Sequence, residues 1–180
     1  DKRLGQEADV AIRLNNIGNV YHDWGQYDKA IKYYEEALAI QKKLGMEGEV
    51  ATCLNNIGLV YNSRGQYDKA IKNYEEALAI ARKLGQEADV GIRLNNIGGV
   101  YNDWGQYDKA IKYYEEALDI ARKLGQEASV ALYLNNIGGV YYLQGEYKTA
   151  IKYFNESVKI IEKIRKTATG DVRRDYLASQ

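Results

Sequence analysis

The sequence has no proline, one cysteine, one histidine and one methionine in 180 residues, and its 25 basic residues are cancelled by 25 acidic ones. Each shortage excludes something. Without proline, helix ends have to be set by glycine and polar residues. A lone cysteine, Cys53, forms neither an intrachain disulfide nor a thiolate metal cluster. That suits a reducing compartment, and a cytoplasmic location is the expectation. Balanced charge removes the overall positive field that drives nucleic-acid binding, so no nucleic acid is expected as a partner. No apolar run approaches the roughly 18 residues of a membrane helix, and no signal-peptide pattern opens the chain, so no membrane is expected either. The only histidine, His22, has Asn62, Asn102 and Tyr142 at its equivalent places and no nucleophile or metal set beside it. Catalysis, a cofactor and a metal site are therefore not expected.

What the sequence does contain is repetition. Leu14-Asn15-Asn16-Ile17-Gly18 returns as Leu54-Asn55-Asn56-Ile57-Gly58, Leu94-Asn95-Asn96-Ile97-Gly98 and Leu134-Asn135-Asn136-Ile137-Gly138, 40 residues apart each time. A fixed period of this size marks stacked supersecondary units rather than a globule with one centre. Within a unit, Val10, Leu14, Ile17 and Tyr21 are spaced as the buried stripe of an amphipathic helix, helix A. After Gly25, a second stripe from Tyr27 through Ala30, Ile31, Tyr34, Ala37 and Leu38 to about Leu44 predicts helix B, closed by Gly45 in a left-handed conformation. Gly65, Gly85, Gly105, Gly125 and Gly145 repeat that punctuation, and the short connections require antiparallel neighbours.

The units run over 7–45, 46–85, 86–125 and 126–166. Residues 1–7 match the stretch Ala81–Glu87, and 1–6 read as the end of a preceding unit. In the fourth unit Arg165 takes the place of the loop glycine, so helix B is expected to run somewhat longer. Thr167-Ala168-Thr169-Gly170 then reads as a break, and over 167–180 Asp171 is expected to cap a short helix in which Val172, Tyr176 and Leu177 share a face. Gly18, Gly58, Gly98 and Gly138 fall inside helix A, where each costs roughly 1 kcal/mol relative to alanine. Close approach of helix B at Ala30, Ala70, Ala110 and Ala150 is the expected reason. Cys53 stands where Arg13 and Arg93 stand in other units, which suggests a partly exposed position. Trp24 and Trp104, at the end of helix A, are expected to pack between units.

Ile17, Gly18, Tyr21, Gly25, Tyr27, Ala30, Tyr34 and Ala37 resemble, nearly position for position, the signature of the tetratricopeptide repeat. The unit is longer than the family's usual 34 residues and lacks its proline, and Leu14 stands where tryptophan is common. Such long units are similar to those of kinesin light chain and the Pins-type adaptors. The resemblance implies an all-α fold, a right-handed superhelical α-solenoid of antiparallel helix pairs in four units. Residues Ile161 to Arg165 and Val172 to Ser179 also resemble the junction between such repeats and a CHAT domain, a peptidase-like module. That implies a parent protein continuing past Gln180, with the array as its sensor arm.

By the same resemblance, helix A lines the concave surface and carries the site. The lining residues include Asn15, Asn16, Asn19 and His22 in unit one, Asn55, Asn56 and Asn62 in unit two, Asn95, Asn96 and Asn102 in unit three, and Asn135, Asn136 and Tyr142 in unit four. Ile12, Thr52, Leu59, Ile92, Leu132 and Leu143 join them. An amide offers donors and an acceptor, so a ladder of asparagines can hold both N–H and C=O of an extended peptide. One asparagine per unit would suffice for a purely structural role, which favours a peptide-binding function. Asp9, Glu49, Asp89, Asp23 and Asp103 give the groove acidic margins suited to a neutral or basic segment. The reading is a non-catalytic interaction scaffold; the alternatives are a self-assembling repeat that stacks head to tail as a homo-oligomer, or the CHAT-linked sensor arm.

Overall fold

The computed structural model describes residues 2–178, with side chains over residues 4–168. Among the described residues there are eight helices and no strand: α1 (Lys2–Asp23), α2 (Tyr27–Leu44), α3 (Glu47–Ser63), α4 (Tyr67–Lys83), α5 (Glu87–Asp103), α6 (Tyr107–Lys123), α7 (Glu127–Leu143) and α8 (Tyr147–Ala178). Odd-numbered helices are the A helices of the four units and even-numbered ones the B helices. None of the described helices is long and apolar enough to cross a membrane.

Glycine ends the helices in the way the absence of proline demands. Gly25, Gly45, Gly65, Gly85, Gly105, Gly125 and Gly145 all adopt positive φ, from 66° to 80°. Beyond each, the next N–H reaches back over the turn: Gln26 donates to the Tyr21 carbonyl at 2.8 Å, Gln66 to Tyr61 at 2.9 Å and Gln86 to Ala81 at 3.0 Å. This is the Schellman arrangement, which satisfies carbonyls the helix end would otherwise leave open. The following helices start at Gln26, Met46, Gln66, Gln86, Gln106 and Gln126 without a side-chain cap. Acids in the first turns, among them Asp28, Glu47, Asp68, Glu87, Asp108 and Glu127, supply the compensating negative charge.

Two of the expected breaks do not form. α1 begins at Lys2 and passes through Gly5, so no break separates residues 2–6 from helix A. α8 runs unbroken from Tyr147 to Ala178, through Thr167 and Gly170, and Asp171 caps no separate helix. With Arg165 in place of the loop glycine, no residue at that point takes up the left-handed conformation, and an interior glycine costs the helix only about 1 kcal/mol. The side chains of Val172, Tyr176 and Leu177 lie outside the described residues.

Within each unit, helix A meets helix B at a glycine and an aromatic ring. A Cβ added to Gly18 would lie 2.5 Å from Cε1 of Tyr34; at Gly58 it would lie 2.9 Å from Tyr74, at Gly98 2.8 Å from Tyr114, and at Gly138 2.9 Å from Phe154. The interior glycines therefore make room for a ring lying on the helix backbone, not for Ala30 and its equivalents. On the other side of the pair, Tyr21, Tyr101 and Tyr141 stack on Tyr33, Tyr113 and Tyr153 with centroids 5.3–5.5 Å apart.

Between units, each B helix packs on the next A helix. Ala77, Leu78 and Ala81 of α4 and Ala117, Leu118 and Ala121 of α6 are buried there with Val90, Leu94, Ile97 and Val100 of α5 and Val130, Leu134, Ile137 and Val140 of α7. Cys53 belongs to this interior. It is fully buried, its thiol donates to the Tyr34 carbonyl at 3.0 Å, and burial pushes its pKa up to about 12. The expectation of a partly exposed position fails because this face of α3 is turned onto α2.

The A helices form the inner side of the stack. Short asparagine side chains span neighbouring A helices, and α1 and α3 approach each other directly. Neighbouring B helices are bridged by long side chains, Lys42 to Glu76 at 3.1 Å and Arg122 to Glu156 at 3.0 Å. Between α6 and α8 an open cleft of about 630 Å³, lined by Leu118, Arg122, Tyr153 and Glu156, separates them.

Adjacent glycines in α7 give a test with opposite signs. Gly138→Ala forces a methyl against the Phe154 ring and is expected to lower stability by about 1 kcal/mol or more, since overpacking costs about 1–3 kcal/mol and outweighs the gain in helix propensity. Gly139→Ala meets no atom within 4 Å. It is expected to raise stability by up to about 1 kcal/mol; urea midpoints of the two variants read the difference. Cys53, buried and held protonated, is expected to react with a thiol reagent at mildly alkaline pH only as fast as the chain opens, which a denaturant series of labelling rates measures.

Candidate functional site

The inner face is built from the same two turns of every A helix. Asn15 and Asn16, one residue apart, point about 100° from one another around the helix, so one reaches toward the following unit and the other toward the preceding one. The bonds follow that geometry. Asn56 Nδ2 donates to Asn15 Oδ1 at 3.2 Å, Asn96 Nδ2 to Asn55 Oδ1 at 2.7 Å and Asn136 Nδ2 to Asn95 Oδ1 at 2.8 Å. The second asparagine of each unit is thus a donor to the first asparagine of the unit before. In unit one, Asn19 adds a node: its Oδ1 accepts the Tyr34 hydroxyl at 2.6 Å and a longer contact from Asn56 at 3.4 Å. Burial, with Cys53 and Asp23 nearby, pushes the Tyr34 hydroxyl up to about 12.

A second row crosses the units nearly two turns further on. His22 Nε2 lies 3.5 Å from Ser63 Oγ, and Asn62 Nδ2 donates to Asp103 Oδ2 at 2.8 Å. His22 also meets Asp23 at 3.2 Å through Nδ1. In the third junction Leu143 stands where Ser63 and Asp103 stand and offers Asn102 no acceptor; Asn62 and Asn102 each bury an Oδ1 without a partner among the described residues. Tyr142 is exposed and tilts against Tyr147 at the start of α8, 5.6 Å between centroids.

Arg93 is the buried charged residue among the described residues. It is turned into the interface between units, only 8% exposed, and its Nη1 donates to Asn55 Oδ1 at 3.2 Å. Burial holds its pKa below the ordinary arginine value, with Asp89 and Tyr74 working in the opposite direction. Asn55 therefore carries two donors, Asn96 and Arg93, on one oxygen. The equivalent places hold Arg13, Cys53 and Tyr133, so this double load occurs at one junction.

The asparagines are half committed. Every rung uses one N–H and one oxygen, while each primary amide has two N–H groups and an oxygen with two lone pairs. What the ladder leaves most open is apolar: Ile12, Leu59, Ile92 and Leu132 are exposed large side chains on the inner face. Their spacing from the asparagines, three residues before Asn15, Asn95 and Asn135 and three after Asn56, was readable as the same helix face. Gly99 and Gly139 widen the face in units three and four; a Cβ at Gly139 would meet nothing within 4 Å. Among the described residues no three of His, Cys, Asp and Glu are grouped as a metal would require. Trp104 joins units by tilting on Tyr67 at 5.7 Å, and Trp24 stacks on Tyr21 of its own helix at 6.2 Å.

The rungs predict unequal costs. Asn95→Ala removes one amide bond and is expected to cost about 1 kcal/mol. Asn55→Ala strands a buried guanidinium as well and is expected to cost about 2–3 kcal/mol. Parallel urea titrations of the two variants check the ranking.

Comparison with known proteins agrees with this architecture. The family profile described as Tetratricopeptide repeat matches residues 9–83 and 89–163. No curated protein matches the chain. Similar solved structures include BtubC (BKLC) from P. vanneervenii, at 29% identity and TM-score 0.77, covering 86% of this chain and 64% of that one. A Rap protein complexed with competence and sporulation factor is similar at 22% identity and TM-score 0.77, with 86% of this chain and 43% of that chain covered. A kinesin light chain from Podosopora anserina with nearly identical TPR-like repeats is similar at 18% identity and TM-score 0.72, over 87% and 76%. The last two likenesses show the fold alone, and the chain spans less than two-thirds of the length of the first two proteins. The glycine-punctuated helix pairs, their stacking and a profile match over most of the sequence lead to one conclusion: this chain belongs to the tetratricopeptide repeat family.

Proposed function

We propose that the chain is a non-catalytic scaffold that holds a segment of another protein along its inner, A-helix face. The observation that carries this reading is the set of exposed apolar side chains on that face, Ile12, Ile92 and Leu132 at equivalent places of units one, three and four and Leu59 two turns further along in unit two, where Thr52 holds the equivalent place, beside polar groups whose hydrogen-bonding capacity is only partly used. A surface with no partner has little reason to align large apolar residues on one side of a solvated array. A Rap protein of the same fold has been solved in complex with competence and sporulation factor, which supports a binding role for such an array.

The division of labour differs from a pure asparagine ladder. The rungs fix the distance between units, and the remaining amide groups of Asn15, Asn55, Asn95 and Asn135 give the segment direction and register. Affinity comes from the apolar row, where covering a half-exposed isoleucine or leucine contributes on the order of 1 kcal/mol. After ordering of the segment the sum corresponds to roughly micromolar binding. Asp9, Glu49 and Asp89 at the entrance favour a neutral or basic segment.

Selection of a displayed library of random peptides on the immobilised chain tests this. Enriched peptides are expected to combine spaced apolar residues with lysine or arginine, and to bind in the micromolar range by fluorescence polarisation. Ile92→Asp with Leu132→Asp is expected to weaken them at least tenfold while the urea midpoint stays unchanged, because both positions are exposed. Equal binding to the double variant, or no enrichment at all, would overturn the proposal.

A further inference from the structure

Three of the four units place a lysine of helix B over a tyrosine of helix A. Lys29 Nζ lies 5.2 Å from the centre of the Tyr21 ring, Lys69 Nζ 5.2 Å from that of Tyr61, and Lys109 Nζ 5.1 Å from that of Tyr101. An ammonium at this distance is attracted because the face of an aromatic ring is negative. Unit four keeps the tyrosine as Tyr141, but Thr149 stands in the lysine's place. The threonine hydroxyl turns back to the start of its own helix and donates to Glu146 Oε2 at 3.2 Å.

Two further departures from the repeat gather at the same spot. Glu146 replaces Gln26, Gln66 and Gln106, and Asp119 replaces Ala39 and Ala79. With Thr149, they take away one positive charge and add two negative ones. Lys148, in place of Asp28, Asp68 and Asp108, goes the other way, but that position faces the following side of its unit: Asp28 accepts from Arg64 and Asp108 from Gln144, each at the end of the next A helix. Burial first, then the carboxylates of Glu115, Glu146 and Asp108, hold the Tyr141 phenol above the ordinary tyrosine value. Those three acids are what a cation at this ring would meet.

The space matches the chemistry. The open cleft between α4 and α6 has about 340 Å³, whereas that between α6 and α8 has about 630 Å³ and counts Thr149 in its lining. Tyr153, also in that lining, stacks on Tyr141 with centroids 5.5 Å apart. The charged residues around the larger cleft are Glu115, Asp119, Glu156, Arg122 and Lys152. Arg122 is engaged by Glu156 at 3.0 Å. Lys152 has the place that Lys112 takes in the smaller cleft, where Lys109 covers Tyr101 as well, so a lysine at that place does not stand in for the one at the ring. Both walls belong to this chain, and any helix packed after α8 would lie on its far side.

We propose that the cleft between α6 and α8 takes a lysine side chain of a partner protein, with the ammonium over Tyr141 where the other units place their own. A primary ammonium is the group the repeat itself seats there, and Asp119 and Glu146 add the countercharge that a visiting one needs. A protein is its source because the cleft is open along the outer side of two helices and holds far more than the end of one side chain, so the backbone that carries the lysine lies in it too. The cleft is on the B-helix side and is independent of the inner-face reading.

An NMR titration of the isotope-labelled chain with acetyl-lysine methylamide tests it. The amide signals of Tyr141, Thr149 and Tyr153 are expected to shift saturably, with a dissociation constant on the order of millimolar, and the binding to weaken as salt rises. Acetyl-norleucine methylamide, which keeps the apolar stem without the charge, is expected to give no saturable shift. Thr149→Lys restores the residue of the other units and fills the place from within; it is expected to weaken binding about tenfold or more with an unchanged helical signal. Butylammonium, the charge and stem without the backbone, is expected to bind several-fold more weakly than the lysine compound. No saturable shift, equal shifts from the norleucine compound, undiminished binding to Thr149→Lys, or butylammonium binding as tightly as the lysine compound, which would make a small amine the occupant, would each overturn the proposal.

Discussion

The contact of an aromatic ring with an interior glycine sets the dimensions of everything else. Because Gly18, Gly58, Gly98 and Gly138 carry no Cβ, the rings of Tyr34, Tyr74, Tyr114 and Phe154 lie directly on the A-helix backbone. That fixes the separation of the two helices in a unit, and with it the place where the outer stripe of helix B meets the next A helix. A methyl group at one of these points would lie 2.5–2.9 Å from the ring, so the ring or the helix pair would have to give way. In a stack in which each unit touches only its neighbours, such an error is passed along. Four repetitions of a residue that weakens helices are the consequence of a spacing that cannot be met any other way.

With the spacing fixed, the inner surface arranges itself. Neighbouring A helices come close enough for one amide to reach another directly, and a rung forms at each junction. The chain then has to place a buried guanidinium at one of them, and it does so by giving Arg93 a share of the Asn55 oxygen. Burial disfavours the charge on Arg93, and Asp89 favours it, so this junction depends on both partners staying in place.

The architecture was legible in the sequence because its signals are local and repeated: glycine at fixed offsets, an apolar stripe of helical period, and short connections. What misled was the purpose of particular residues. A pair of asparagines per unit looks like one more than structure needs, yet a rung requires an acceptor on one helix and a donor on the next, and a unit in mid-stack has to supply both. Cys53 looks casual beside Arg13 and Arg93, but the equivalent places of units two, three and four bury thiol, guanidinium and phenol alike, as Cys53, Arg93 and Tyr133, because helix B of the preceding unit covers that face of the A helix. At the chain ends the expected breaks do not form for a different reason. The Gly5 and Gly170 signals are real, but a helix crosses a glycine when no neighbouring residue enforces a turn.

The two sides of the stack are joined by different materials. Short amides link the A helices, with little freedom to lengthen, whereas lysine, arginine and glutamate side chains span open clefts between the B helices. Such an object has a stiff seam and a slack one. It bends by opening or narrowing its outer clefts while the length of its inner edge is preserved, so the curvature can follow the shape of whatever lies inside without breaking the rungs that hold the units in register.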